Sequence, residues 1–146
     1  MLRRDVQPAA LAAAGAALLV FIGALLPWVK AFAPLIGQVS KSGMEGDGLY
    51  TLLISLAVLS GLLWATFGNG SQRPSFGGVL VAGIIVALIA VIDMNDVGSR
   101  REALSADSSA LVTVSIGEGL YLTLIGGLAL IASGWAAAYQ TSKPSA

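Results

Sequence analysis

Four carboxylates are the side chains of this sequence best suited to chemistry. Asp47 and Glu118 each stand between two glycines, while Asp93 and Asp96 follow an apolar stretch together with Asn95. Carboxylate and amide oxygens are the ligands that calcium and magnesium prefer, so the second group could hold a divalent cation. The fuller pattern of a calcium-binding loop is missing, and we favour a solvated helix end as the interpretation.

Catalysis would need partners that the sequence does not supply. The 146 residues contain no Cys and no His. The chain therefore lacks a thiol nucleophile, a thiolate metal site and the commonest general base. It has no phosphate-binding loop either, so a membrane enzyme would have to work with carboxylates alone. We expect a protein that is not an enzyme and that needs no cofactor.

The composition indicates a membrane protein. Hydrophobic residues make up 56% of the chain and charged residues 11%, and the mean hydropathy is +0.84. Soluble domains carry about 45–50% apolar and about 25% charged residues, so the apolar excess needs lipid as its solvent. The formal net charge is zero, which argues against nucleic acid as a partner.

Four apolar segments are long enough, or nearly so, to cross a bilayer, which takes about 20 helical residues. They are residues 8–27, 48–67, 76–92 and 119–139, with outer loops at 28–47 and 93–118 and a polar turn at 68–75. We predict an all-α integral membrane protein, one domain (1–146) built as a four-transmembrane-helix bundle. A cleaved signal peptide is the alternative for the first segment, whose apolar stretch exceeds the usual length of about 7–15 residues.

Charged residues in the connections predict the orientation. Arg3 and Arg4 flank the first helix, and basic residues near the first helix mark the cytoplasmic side. Seven of the eight acidic residues fall on the opposite side of the membrane. We therefore expect both termini in the cytoplasm and the two long loops outside.

One short motif occurs twice. Gly-Asp-Gly-Leu-Tyr at 46–50 recurs 71 residues later as Gly-Glu-Gly-Leu-Tyr at 117–121, and Trp64 and Trp135 have the same offset. The halves would then be two repeated helical hairpins in one orientation, related by a pseudo-two-fold axis along the membrane normal.

The repeated motif has a structural interpretation and a functional one. Asp47 and Glu118 begin a helix, where a carboxylate interacts favourably with the helix dipole. Tyr50 and Tyr121 then lie at the level of the outer headgroups. Binding of a cation or a partner by the paired acids is the alternative to helix capping.

The outer loops have patterns of their own. The apolar, β-branched run at 110–116 predicts a strand, and residues 35–40 are a weaker candidate that could pair with it as a small extracytoplasmic β cap. Residues 99–108 could form a short amphipathic helix on the surface, with Arg100 and Arg101. These two arginines join Asp47, Tyr50, Glu118 and Tyr121 as the candidate partner-docking or helix-start residues.

The order of spans and loops resembles the claudin and peripheral-myelin topology. The Cys pair of that family is missing here, so no barrier or pore role is carried over. The Ala/Gly/Leu/Val-rich helices after Met-Leu-Arg-Arg, together with the repeated motif, resemble small four-span membrane proteins of actinobacteria. One such type is the accessory subunit found with mycobacterial Mce lipid-import complexes. The resemblance implies a bacterial inner (plasma) membrane and association with a lipid transporter, and it transfers no catalytic residue.

The middle of every predicted span is free of ionisable residues. Ion pathways and proton relays usually place charged residues there. Small residues recur at four-residue spacing, as in Ala9–Ala13–Ala17, Gly83–Ala87 and Ala132–Ala136, and such faces let membrane helices pack closely. We expect an accessory or structural subunit that docks on a larger membrane complex as a homo- or hetero-oligomer. The alternative is a small oligomeric transporter or channel.

Overall fold

The computed structural model describes residues 7–67, 76–106 and 112–141 of the chain. Its four long helices are α1 (Gln7–Leu25), α2 (Gly48–Phe67), α3 (Phe76–Ala106) and α4 (Glu118–Thr141). All four are long and apolar enough to cross a membrane, and they pack against one another as a bundle. The chain is thus a multi-pass four-helix membrane protein. Arg3 and Arg4, the basic residues from which the orientation was predicted, lie outside the described residues.

Helix α3 is much longer than the sequence predicted. Residues 93–106, expected in an outer loop, continue the helix without a break. Arg100 reaches back one turn to Asp96, with 2.9 Å between Nε and Oδ2, and such pairs support a helix. The predicted surface helix at 99–108 is therefore the end of α3 as far as Ala106, and its last two residues lie outside the described part.

Helix α4 lies at the centre of the bundle, between α1 and α3. Glycines set how closely these helices approach. A Cβ atom on Gly126 would lie 2.7 Å from Cγ2 of Val20 on α1, and one on Gly83 of α3 would lie 2.7 Å from the backbone nitrogen of Ile131. Close backbone approach of this kind is how membrane helices gain packing energy without a hydrophobic driving force.

The small-residue faces are used unequally. Ala13 and Ala17 of α1 are fully buried, whereas Ala132 faces outward and the neighbouring Ser133 and Gly134 face the bundle. Helix α2 packs on α1 and touches α3 only sparsely, although α1 and α4 are in extensive contact. A two-fold axis relating the hairpins would make the α2–α3 contact as extensive as the α1–α4 contact. The helix packing is therefore asymmetric.

A three-stranded antiparallel sheet lies at one end of the bundle. Its strands are β1 (Pro27–Ala33), β2 (Gly37–Ser42) and β3 (Thr113–Ile116), in the order β2-β1-β3. Ala31 of the central strand stands opposite Val39 on one side and Val114 on the other.

The strand pairing differs from the sequence prediction. Residues 35–40 were expected to pair with 110–116, yet Pro27–Ala33 separates the two strands. A tight turn explains the difference, because Ile36 N donates to Ala33 O and Gly37 has φ +83°, which folds β2 back on β1. Ala110 and Leu111 of the predicted strand lie outside the described residues.

The base of the sheet is fixed to the bundle. Strand β1 begins two residues after α1 ends, and β3 ends two residues before α4 begins. Gly117 N donates to Trp28 O at 2.7 Å, and Gly43 N donates to Leu26 O at 3.3 Å. The hairpin turn between β1 and β2 therefore lies at the far end of the sheet, away from the helices. We call the end of the bundle that carries the sheet the capped end.

Candidate functional site

Trp28 anchors the sheet to the bundle. The pairing register shifts between Pro27 and Val29, an irregularity that re-aims the side chain between them. The Trp28 side chain is 5% exposed, and its Nε1 donates to the carbonyl oxygen of Gly23 at 2.9 Å. Gly43 lies so close to the indole that a Cβ atom there would come within 2.5 Å of Cε2. The position of the Trp28 indole is thus fixed by its hydrogen bond to Gly23 and by close packing against Gly43.

A cavity of about 120 Å³, which we call the cap pocket, opens beside this indole. Residues of the sheet, the short 3₁₀ helix Gly43–Glu45, α3 and α4 line this open cavity. Its lining consists of Trp28, Val29, Lys41, Ser42, Gly43, Gly46, Asp47, Asp93, Asp96, Val97 and Leu120. The cap pocket therefore combines an apolar wall with four charged side chains.

The acidic residues of the cap pocket come from α3 and from the residue just before α2. Asp93 and Asp96 lie about one turn apart on α3, and Asp47 directly precedes α2. Asp47 and Asp96 are close enough to repel the Asp93 carboxylate electrostatically. The Oδ2 atom of Asp93 is buried and has no hydrogen-bond partner among the described residues. A buried carboxylate oxygen without a hydrogen-bond partner carries a desolvation cost.

The structure separates the two acids of the repeated motif. Asp47 lines the cap pocket, whereas Glu118 pairs with Lys30, with 2.5 Å between Oε1 and Nζ. Strand alternation puts Lys30 on the opposite face of the sheet from Val29 and Lys41, which line the cap pocket. Glu118 lies in the first turn of α4, where the helix dipole favours a negative charge. The two acids therefore have different surroundings.

The remaining candidate residues stand outside the cap pocket. Tyr50 and Tyr121 are 61% and 50% exposed, one near the start of α2 and one near the start of α4. Arg100 holds Asp96 in an exposed ion pair, and Arg101 follows it on the exposed surface of α3. The four side chains do not form one site with Asp47.

The proposed oxygen ligands of a divalent cation are not assembled. Within the described ranges, no group of three or more acidic residues is arranged to hold a metal ion. Asn95 is exposed and does not line the cap pocket, although its neighbours Asp93 and Asp96 do. The three acids therefore face a cavity rather than a common metal position.

Sequence reasoning missed most of the cap pocket. Lys41 and Trp28 lie in a segment predicted as loop, and Val97 and Leu120 are ordinary apolar residues of long helices. The one feature of the sequence that could have indicated the cap pocket was the tryptophan directly after Pro27, at the end of an apolar span. No protein-family model matches the chain, and no curated protein is similar enough to count as a relative.

Proposed function

We propose that this protein is a non-enzymatic accessory subunit of a larger complex in the bacterial inner membrane. Both termini would lie in the cytoplasm and the capped end outside, as an extracytoplasmic β cap. The resemblance found in the sequence suggests a lipid transporter as the complex. The observation that carries the proposal is an apolar hairpin tip, exposed on the capped end.

The hairpin tip consists of Phe32, Leu35, Ile36 and Val39. Leu35 is 96% exposed and Ile36 is 78% exposed, and the other two are more than half exposed. Large apolar side chains exposed together on a turn are typical of an interaction surface. The hairpin tip is therefore the surface with which we expect the protein to dock.

The geometry of α3 supports a protein partner for this tip. The 31 residues of α3 extend over about 46 Å, whereas the hydrocarbon core of a bilayer is about 30 Å thick. Strand β3 packs on α3, and β1 extends over about 20 Å from its start at the bundle. The tip would then stand well outside the hydrocarbon, beyond the reach of lipid tails.

The helices themselves support a passive role within the membrane. The buried polar side chains of the described helices are Thr51, Ser55, Thr123 and Ser133. Each hydroxyl donates to a carbonyl oxygen of its own helix. A small oligomeric transporter or channel, the alternative function, would need polar groups turned towards a lumen.

The two hairpins also share a detail that supports their origin as a repeat. Leu49 N donates to Gly46 O at the start of α2, and Leu120 N donates to Gly117 O at the start of α4. These bonds are 71 residues apart, the offset of the repeated motif. We propose that a duplicated hairpin later acquired asymmetric packing.

Purification from the native host tests the accessory role. The tagged chain, extracted in a gentle detergent, should co-purify with one larger membrane protein in fixed stoichiometry by mass spectrometry. The double variant Leu35→Ser/Ile36→Ser should lose this protein, because its docking tip is polar. The control Met44→Ser, which changes an exposed apolar residue away from the tip, should keep it. A chain that purifies alone and moves a solute into liposomes would support the transporter alternative instead.

A further inference from the structure

Strand β2 forms an open edge of the sheet at the capped end. It pairs with β1 on one side, and the described residues place no strand on its other side. The opposite edge of the sheet, β3, has four residues and packs against α3. Four of the six residues of β2 are exposed. An edge of this kind presents N–H and C=O groups to which a further strand can bond.

The main-chain groups of β1 are directed alternately towards its two neighbours. Gly117 N donates to Trp28 O at 2.7 Å, so Trp28 directs its main-chain groups towards β3. Successive residues of a strand in an antiparallel sheet direct these groups to opposite sides. Those of Val29 and Ala31 are therefore directed towards β2.

This alternation identifies the outward-facing groups of β2. The residues opposite Val29 and Ala31 are Lys41 and Val39, whose main chain bonds to β1. The N–H and C=O groups of Ser40, which lies between those two, point away from β1, and so do those of Gln38. Both residues are exposed. Two N–H and two C=O groups therefore face outward, at the spacing that a further strand requires.

The half of this edge nearest the hairpin tip lacks the usual protection against pairing. Natural proteins protect edge strands with charged side chains, proline or bulges. Here the register irregularity between Pro27 and Val29 and the side chain of Lys41 both lie near the base of the sheet. Residues 37–40 contain no charged residue and no proline. This half of the edge is open to another strand, and the exposed Val39 offers it apolar contact.

The direction of β2 defines the strand that fits. Both β2 and β3 are antiparallel to β1, which leaves the bundle, so both run back towards the membrane. Antiparallel pairing continues the pattern of this sheet and is the commoner kind of pairing. The incoming strand must therefore run from the membrane outward. A second copy in the same membrane does not supply such a strand, because its two edge strands also run towards the membrane.

We propose that the open edge of β2 receives an extended segment of a different membrane protein, which leaves the membrane on the capped side and bonds to Gln38 and Ser40. In strand addition of this kind, main-chain hydrogen bonds supply the affinity. The hairpin tip, which is continuous with this edge, would add apolar contact. For the identity of the partner the inference rests on the proposed function, since the segment would belong to the larger complex.

Hydrogen–deuterium exchange of the full chain tests strand addition. Exchange is measured by mass spectrometry at residue level, in native membranes and in liposomes that contain the purified chain alone. We expect the amides of Gln38 and Ser40 to exchange about tenfold more slowly in native membranes, because each donates to the added strand. The amides of Val39 and Lys41, which bond to β1, should exchange at the same rate in both preparations.

Equal exchange of Gln38 and Ser40 in the two preparations would overturn the inference. Fast exchange in both would show that no strand is added. Slow exchange in both would show that a second copy of the chain covers the edge, contrary to the direction argued for the incoming strand.

A proline substitution makes the test specific to the main chain. Ser40→Pro removes the outward N–H group without removing a bond to β1, and edge strands tolerate proline at such a position. It should abolish the slowed exchange at Gln38. Ser40→Ala, the matched control, keeps the N–H group and should keep the slowed exchange. If Ser40→Pro, with unchanged circular dichroism, left the exchange at Gln38 slow, strand addition would be wrong.

These measurements separate strand addition from the accessory role. A partner that co-purifies in fixed stoichiometry, while Gln38 and Ser40 exchange as fast in the complex as in the chain alone, would leave the accessory role intact and exclude strand addition. A chain that purifies alone, yet shows slowed exchange at both residues in native membranes, would support strand addition and contradict a stable subunit.

Discussion

Trp28 and Gly43 are the residues on which the capped end depends most. The indole fills the junction of α1, β1 and the 3₁₀ helix. Gly43, the first residue of that helix, has no Cβ atom and can therefore pack directly against the indole. Packing this close leaves no room for added volume, because protein interiors have few voids. A small change at Gly43 should therefore affect stability more than the same change elsewhere.

Gly43→Ala tests this packing. The new methyl group would meet Cε2 of Trp28 at 2.5 Å and the carbonyl oxygen of Ala24 at 2.7 Å, so atoms must shift. We expect the free energy of unfolding to fall by about 1–3 kcal/mol, the usual cost of overpacking. Denaturant titration in detergent, followed by tryptophan fluorescence, measures it.

Gly98→Ala is the matched control for this substitution. Nothing lies within 4 Å of the Cβ position at Gly98, which belongs to the exposed end of α3. This variant should be as stable as the unchanged protein or slightly more so, because alanine favours a helix. Equal stability of the two variants would contradict the packing described for Trp28.

At the level of elements, the sequence predicted the helices far better than the sheet. Long uncharged runs mark α1, α2 and α4, because lipid demands them and their ends carry turn-forming or charged residues. Residues 93–106 contain charged side chains and so lack the uncharged run that marks a membrane span. The helix there was missed because a helix exposed to water needs no apolar run. Pairing of β1 with β3 joins residues more than eighty positions apart, which no local pattern specifies.

The same limit applies to the cap pocket. Asp47, Asp93 and Asp96 were recognised as candidate residues, but nothing in their spacing shows that two of them face a third across a cavity. Lys41 enters the site only because the β1–β2 hairpin folds it over α3. Residue types can thus be read from the chain, while their convergence depends on the tertiary fold.

Paired cysteines test the order of the strands. The chain has no native Cys, so every disulfide is an introduced one. Ala31→Cys with Val114→Cys places two thiols on directly opposed residues, about 5 Å apart, and should cross-link on mild oxidation. Protection from a maleimide reagent, reversed by reduction, measures the cross-link.

Val39→Cys with Val114→Cys is the control for strand order. These residues flank the central strand, roughly 10 Å apart, which is too far for a disulfide. The pairing first expected from the sequence, with residues 35–40 beside 110–116, would instead bring them together. A cross-link in this second pair and none in the first would show that the sheet order is wrong.

At the scale of the whole molecule, the two ends of the bundle are unlike each other. One end has the sheet, the cap pocket and the hairpin tip, and at the other end the stacked rings of Trp135 and Tyr139 lie 6.0 Å apart near the end of α4. Aromatic side chains at this position are typical of a membrane interface. The docking proposed for the hairpin tip would take place at the capped end.

The proposed function requires that the capped end stands outside and that the chain crosses the membrane to reach it. Single cysteines at two exposed positions, Ser40→Cys on β2 and Gln140→Cys near the end of α4, test this directly. In intact cells a membrane-impermeant maleimide should label Ser40→Cys, and it should label Gln140→Cys only after permeabilisation. Labelling of Gln140→Cys alone in intact cells, or of both variants equally, would contradict this account.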